Sequence, residues 1–170
     1  VYSELIPKLI SEYGQPIHDF ALCDRIKEIQ NFYPNPSAVH GLRVLDIGCG
    51  SSFNTAEVDA NQGLWSPWFL RACAELGAKG VGIDIGDNYD EEPFTFYRVD
   101  LRQAGALDFL PDASFDFIHC TNLFNSPHLK HNLRYGDPEQ RKLMISEILT
   151  QTRRLLAPGG GVLIDTDLND

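Results

Sequence analysis

The sequence predicts an α/β domain, a three-layer sandwich in which a mostly parallel five-stranded sheet carries helices on both faces. Three observations predict it. Five short runs rich in apolar or β-branched residues are bounded by Gly, Pro or Asp. Helical patterns with recognisable starts and stops alternate with these runs, which implies βαβ units and right-handed crossovers. The first run, Val44-Leu45-Asp46-Ile47, leads at once into Gly48-Cys49-Gly50-Ser51-Ser52, where closely spaced glycines let backbone approach a ligand.

Residues 1–36 read as an N-terminal helical extension in two amphipathic pieces that packs on the core. The first covers 3–13 and stops at Gly14. The second starts near His18-Asp19 and places Phe20, Cys23, Ile26, Lys27 and Ile29 at helical spacing until Pro34 and Pro36 end it. Residues 37–170 carry the sheet, with strands expected at 42–47, 80–85, 94–99, 115–120 and 161–166. Ser66-Pro67 starts a helix with Phe69, Leu70, Cys73 and Leu76 on its buried face, and Gly77 stops it. A shorter helix is expected over 101–110. Asp137-Pro138-Glu139-Gln140 opens the last helix with a capping box, Met144, Ile148, Thr152 and Leu155 share one face, and Pro158-Gly159-Gly160-Gly161 follows its end. The polar stretch 53–65 interrupts the passage from glycine turn to helix, as a lid over a ligand would. Tyr13, Phe20, Trp65 and Trp68 read as core aromatics.

Composition narrows the function. At 170 residues the chain suits one domain, and with 43% hydrophobic and 22% charged residues it buries a core of ordinary size. A formal net charge of −10 argues against nucleic acid and anionic membrane as partners. No apolar run approaches the ~20 residues of a membrane helix, and no signal-peptide layout is present. Cys23, Cys49, Cys73 and Cys120 are too scattered for a metal knuckle and read as free thiols, so a cytoplasmic address is expected. The sequence begins at Val1, compatible with a piece of a longer protein. His119, His128 and His131 lack cysteine or carboxylate partners at metal-ligand spacing and read as packing or solvent-facing, with no metal expected.

Two further strands end in acids. Asp84 closes Val81-Gly82-Ile83-Asp84-Ile85, where a carboxylate can accept from vicinal ribose hydroxyls, and Asp100 closes Tyr97-Arg98-Val99-Asp100-Leu101, where one could accept from an adenine amine. With Val44–Ser52, with Leu110-Pro111-Asp112-Ala113-Ser114-Phe115-Asp116-Phe117-Ile118 and with Leu155–Ile164, these motifs form an ordered series over roughly 42–166. In that order they resemble the class I S-adenosylmethionine-dependent methyltransferases.

The resemblance implies a Rossmann-like sheet of order 3-2-1-4-5, here without the family's usual sixth and seventh strands, and S-adenosylmethionine as cofactor with S-adenosylhomocysteine as product. It implies that Asp46 helps position the cofactor's amino group, that Gly48, Cys49 and Gly50 pass its methionine part, and that Asp84 with Ile85 holds the ribose. Asp100 and Leu101 would hold the adenine, and backbone near Cys120 and Thr121 would line the floor beneath the methyl group. His128, in the loop after strand four, is the candidate base for an acceptor that must lose a proton. Cys120-Thr121-Asn122-Leu123-Phe124 lacks the Asn-Pro-Pro-Tyr type signature of amino methyltransferases of nucleic acids or glutamine. A small-molecule acceptor is therefore expected, with a protein acceptor left open. Two other readings stay in play. Ser52 replaces a third family glycine, which suits a non-catalytic partner or regulatory subunit; a nicotinamide-dependent oxidoreductase would want glycine where the chain has Phe53.

Overall fold

The computed structural model describes residues 1–14, 19–51, 66–88, 91–124 and 138–165. Two helices come first, α1 (Tyr2–Tyr13) and α2 (Asp19–Phe32), then a 3-10 turn at Pro36–Ala38. The rest runs β1 (Arg43–Ile47), α3 (Trp68–Glu75), β2 (Lys79–Asp84), β3 (Phe94–Arg98), β4 (Phe115–Cys120), α4 (Pro138–Leu155) and β5 (Leu156–Ile164). The five strands form one sheet of order β3-β2-β1-β4-β5, and every neighbouring pair is parallel. This is the expected Rossmann-like order.

Side chains alternate across the sheet and build two cores. Val44 and Phe117 point to the face covered by α1, α2 and α3, where Leu5, Leu9, Leu22, Ile26, Ile29, Phe69 and Leu70 pack on them. Leu45, Ile47, Ile118 and Cys120 point to the opposite face, against Met144, Ile148 and Leu155 of α4 and against Leu107 and Leu110. The face expected for the last helix is the one it buries, Thr152 included. Helix α3 differs from a surface helix: its residues Trp68 to Cys73 are all buried.

Three local expectations change. Residues 101–110 form no helix. They make successive turns, with Gln103 N donating to Asp100 O and Ala106 N to Gln103 O, and Gly105 at φ +72° diverts the backbone before an α-helix can propagate. Leu107 and Leu110 still fill the core from those turns. Helix α3 has Pro67 as its N-cap with no side-chain cap, so Ser66 contributes its carbonyl, to Trp68 N at 2.7 Å, rather than its hydroxyl. Strand β5 starts at Leu156, because Phe115 pairs with Leu156 and Phe117 with Gly161. Pro158, Gly159 and Gly160 bulge out between those pairs, and the regular ladder then begins at Gly161 as expected.

Candidate functional site

The glycine turn lies at the carboxyl end of β1, in the middle of the sheet. Gly48 N and Cys49 N both donate to Ile83 O, at 2.7 and 3.1 Å, which folds the turn over the end of β2. Gly48 and Gly50 have φ of +78° and +93°, a conformation other residues adopt only at a cost. A Cβ on Gly48 would also stand 3.0 Å from Leu123 Cδ1, so the turn and the segment after β4 are in contact.

Asp84 joins this turn from the tip of β2. Its Oδ2 accepts from Gly50 N and its Oδ1 from Gly86 N, each at 2.9 Å. Burial pushes the Asp84 carboxyl above its usual range, against the pull of these N–H donors. Asn88 Nδ2 donates to Gly50 O at 2.8 Å and Ser51 Oγ to Asp87 O at 2.7 Å, so the loop after β2 clasps the turn. Ile85 is half-buried beside Asp84. One strand further out, Asp100 is half-buried and paired with the Arg102 guanidinium. Burial pushes its carboxyl up, but hydrogen bonds from the Arg102 side chain and backbone win and hold it below the usual range. Leu101 packs on the second core.

The third side of the turn is the end of β4. Asp46 pairs in register with His119, and both are about 2% exposed. His119 Nδ1 lies 2.7 Å from Asp46 Oδ1, and the imidazole stacks on Phe69 at 3.8 Å between centroids. On its other edge, Nε2 is 3.2 Å from Glu28 Oε2, 3.2 Å from Arg25 Nη1 and 3.1 Å from Thr121 Oγ1. Arg25 also donates to both oxygens of Glu28, at 2.9 and 2.6 Å, and to Thr121 Oγ1. Burial pulls the His119 pKa down, but the Asp46 charge and hydrogen bonds to Asp46 and Glu28 more than offset it and leave it raised. Cys120 faces the opposite core, and burial followed by the Asp46 charge pushes its thiol far up, so it is a neutral wall and no nucleophile.

The sequence profile of a family described as methyltransferase domain matches residues 17–170. The chain belongs to that family. It is a class I S-adenosylmethionine-dependent methyltransferase domain. Among curated proteins no significant sequence relative is found. Similar solved structures include an arsenic(III) S-adenosylmethionine methyltransferase from Chlamydomonas reinhardtii, at 20% identity, TM-score 0.45, covering 72% of this chain and 37% of that one. A protein described as a ribosomal RNA methyltransferase from Plasmodium falciparum follows at 17% identity, TM-score 0.41, with 75% of this chain and 68% of that one covered. The trans-methyltransferase CalH, solved with S-adenosylhomocysteine, is 17% identical at TM-score 0.39, over 91% of this chain and 40% of that one. The chain thus spans well under half the length of two of the three.

For the methyltransferase domain, the residues singled out in sequence fall into three places. Asp46, Gly48, Cys49, Gly50, Asp84 and Ile85 meet at the turn; Asp100 and Leu101 lie one strand away; Cys120 and Thr121 close the β4 side. The carboxylates and the positive-φ turn fit the cofactor's chemistry. The Asp84 carboxylate accepts from the backbone of Gly50, Gly86 and Ile85, and its lone pairs leave room for one further donor such as a hydroxyl. Asp46 is engaged by His119 beneath the turn instead of presenting an open carboxylate. His128 and the expected lid at 53–65 lie outside the described residues, as do Trp65 and the side chain of Phe20. Sequence reasoning missed Arg25 and Glu28, and took His119 for ordinary packing. Only their i, i+3 spacing linked Arg25 to Glu28 in sequence. Among the described residues no His, Cys, Asp or Glu cluster has the makings of a metal site, and no helix is long and apolar enough to cross a membrane.

Proposed function

We propose that the chain is a cytoplasmic methyltransferase that moves the methyl group of S-adenosylmethionine to a small-molecule acceptor. The observation that carries the reading is Asp84. Its carboxylate stands at the tip of β2, fixed by the backbone of Gly50, Gly86 and Ile85, with acceptor capacity left for a ribose hydroxyl. When bound, the cofactor supplies a sulfonium-activated methyl group and leaves as S-adenosylhomocysteine.

The protein's contribution is positioning and exclusion of water, since displacement at the methyl carbon requires alignment of nucleophile, carbon and sulfur. Gly48, Cys49 and Gly50 pass the methionine part along backbone, Asp84 and Ile85 orient the ribose, and Asp100 and Leu101 the adenine. Backbone near Cys120 and Thr121 would line the floor beneath the methyl group. Asp46, bonded to His119, supports the turn from below and biases the site toward the cofactor's positive amine and sulfonium. His128 takes the proton from an acceptor whose nucleophile is protonated. The net charge of −10 favours a small acceptor over a nucleic acid.

Calorimetry with S-adenosylmethionine, S-adenosylhomocysteine and NAD tests the cofactor. Binding of the first two and none of NAD is expected; no binding of any would overturn the reading in favour of a partner subunit. Transfer of labelled methyl to dialysable low-mass material, not to protein or RNA, tests the acceptor class.

A further inference from the structure

Helix α2 reaches the glycine turn through a chain of contacts that the cofactor reading does not use. The β1–β4 register and the two-residue period of β4 put Asp46, His119 and Thr121 on the face that α2 and α3 cover. From α2, Arg25 lies against Glu28, His119 and Thr121 Oγ1 at once. Thr121 is followed by Asn122, whose φ of +58° is left-handed for a residue with a side chain. Asparagine adopts such a corner more readily than other side-chain residues, still at some cost. Leu123 comes next, and its side chain fills the space beside Gly48. Asp46, at the start of the same turn, is bonded to His119.

We propose that Arg25 and His119 are positioning residues that couple α2 to the glycine turn, by holding Thr121 so that the Asn122 corner keeps Leu123 against Gly48. Both groups lie on the α2 side of the turn, away from its glycines. They set the shape of the surface at the turn. Arg25 and His119 sit between the carboxylates of Asp46 and Glu28, and each member is held by at least one other. The functional meaning of this coupling rests on the reading of the turn as the cofactor site, and the test keeps the two apart.

The whole chain is compared with Arg25→Met, Arg25→Lys, Thr121→Val and, as a control on the same helix, Lys27→Ala. Amide hydrogen exchange without ligand is followed at Gly48 and Cys49, whose N–H groups bond Ile83 O. Affinity for S-adenosylhomocysteine is measured in parallel. In Arg25→Met and Thr121→Val, exchange at those two amides rises about tenfold and affinity falls about tenfold. Exchange at Ile148 in α4 stays as in the parent. The two substitutions together do no more than either alone, Arg25→Lys recovers most of the loss, and Lys27→Ala changes neither quantity. Unchanged exchange at Gly48 and Cys49 in Arg25→Met overturns the proposal; should that variant not fold, unchanged exchange in Thr121→Val does. If the parent chain fails to bind S-adenosylhomocysteine while the turn still loosens in the variants, the coupling stands and the cofactor reading falls.

Discussion

Replacing His119 by leucine is the most informative single change this structure offers. Leucine keeps an apolar body against Phe69, where the imidazole stacks at 3.8 Å, and removes both ring nitrogens. Glu28 keeps Arg25, through bonds of 2.9 and 2.6 Å. Among the described residues Asp46 keeps nothing comparable: its carboxylate, about 2% exposed, loses the Nδ1 partner at 2.7 Å. Removing one member of a buried charged pair costs ~3–5 kcal/mol, mostly because the other charge stays behind without a partner. At roughly 2–4 °C per kcal/mol for a domain of this size, the melting temperature falls by roughly 6–20 °C. Asp46→Leu combined with His119→Leu recovers a large part of that loss, since taking out both charges removes the stranded one.

The pH dependence carries its own sign. The groups facing His119 are Asp46 from β1, Glu28 and Arg25 from α2, and the uncharged Thr121 and Phe69. Burial lowers the His119 pKa, the two carboxylates raise it by more, and the folded value lies above the ordinary one. A raised folded pKa means the stabilisation is fully present below the unfolded value near ~6.5 and is lost as pH rises through the folded value. Urea unfolding of the parent chain should therefore weaken as pH climbs beyond neutral, and His119→Leu should be flat over that window. A cost below ~1 kcal/mol, or a double variant no more stable than the single one, would refute the argument that Asp46 depends on His119.

Three more outcomes follow from individual contacts. Asp84→Ala weakens S-adenosylhomocysteine binding by ~1–3 kcal/mol in calorimetry, the range for losing hydrogen bonds to a charged group; full affinity would place the ribose elsewhere. Glu91→Gln, which removes the charge from a bidentate pair with buried Arg71 (2.9 and 2.6 Å), lowers unfolding stability by roughly 1.5–3 kcal/mol, and the Arg71 stack on Tyr13 and Trp68 does not replace it. Arg43→Met has little effect on unfolding stability, because Arg43 is solvent-exposed and Asp116 only half-buried, so water screens their pair. The Arg43 hydrogen bonds hold the Asp116 carboxyl below its usual range against burial, so this small contribution exists above the ordinary carboxylate range and fades as pH falls through the depressed value. Acid titration of the unfolding curve in both chains checks that sign.

What could be read in the sequence was what depends on near neighbours. A strand buried on both faces announces itself as an apolar run, which makes Val44–Ile47 and Phe115–Cys120 visible, and the helix repeat puts Met144, Ile148, Thr152 and Leu155 on one side. Asp84 was legible for the same reason: it ends a run and precedes a loop. The 101–110 stretch misled because Leu107 and Leu110 keep a helix-like spacing while Gly105 turns the backbone away at φ +72°. The β5 start was missed because a bulge at Pro158-Gly159-Gly160 looks, in sequence, like a plain helix-to-strand turn. Asp46 was the instructive residue. Its partner stands 73 positions away on a neighbouring strand, a relation set by register, and no local pattern encodes parallel register.

The same non-locality decides what the N-terminal helices are for. Asp46 and His119 would form a pair within the sheet alone, but His119 is buried on its second edge as well, and among the described residues Glu28 and Arg25 of α2 supply the charge there. An apolar helix in its place would leave Nε2 to the uncharged Thr121 hydroxyl, without a charge-assisted bond. Helix α2 instead brings one carboxylate and one guanidinium, one turn apart, so that it covers the apolar Val44 and Phe117 and completes the polar group in the same docking event. Seating α2 is therefore coupled to ordering the end of β4, and through Leu123 to the turn at Gly48. An arrangement that satisfied the apolar contacts but shifted α2 along its axis by one residue would turn Arg25 away from Thr121. The charged quartet fixes the register of a helix that the hydrophobic contacts alone would leave free to slide.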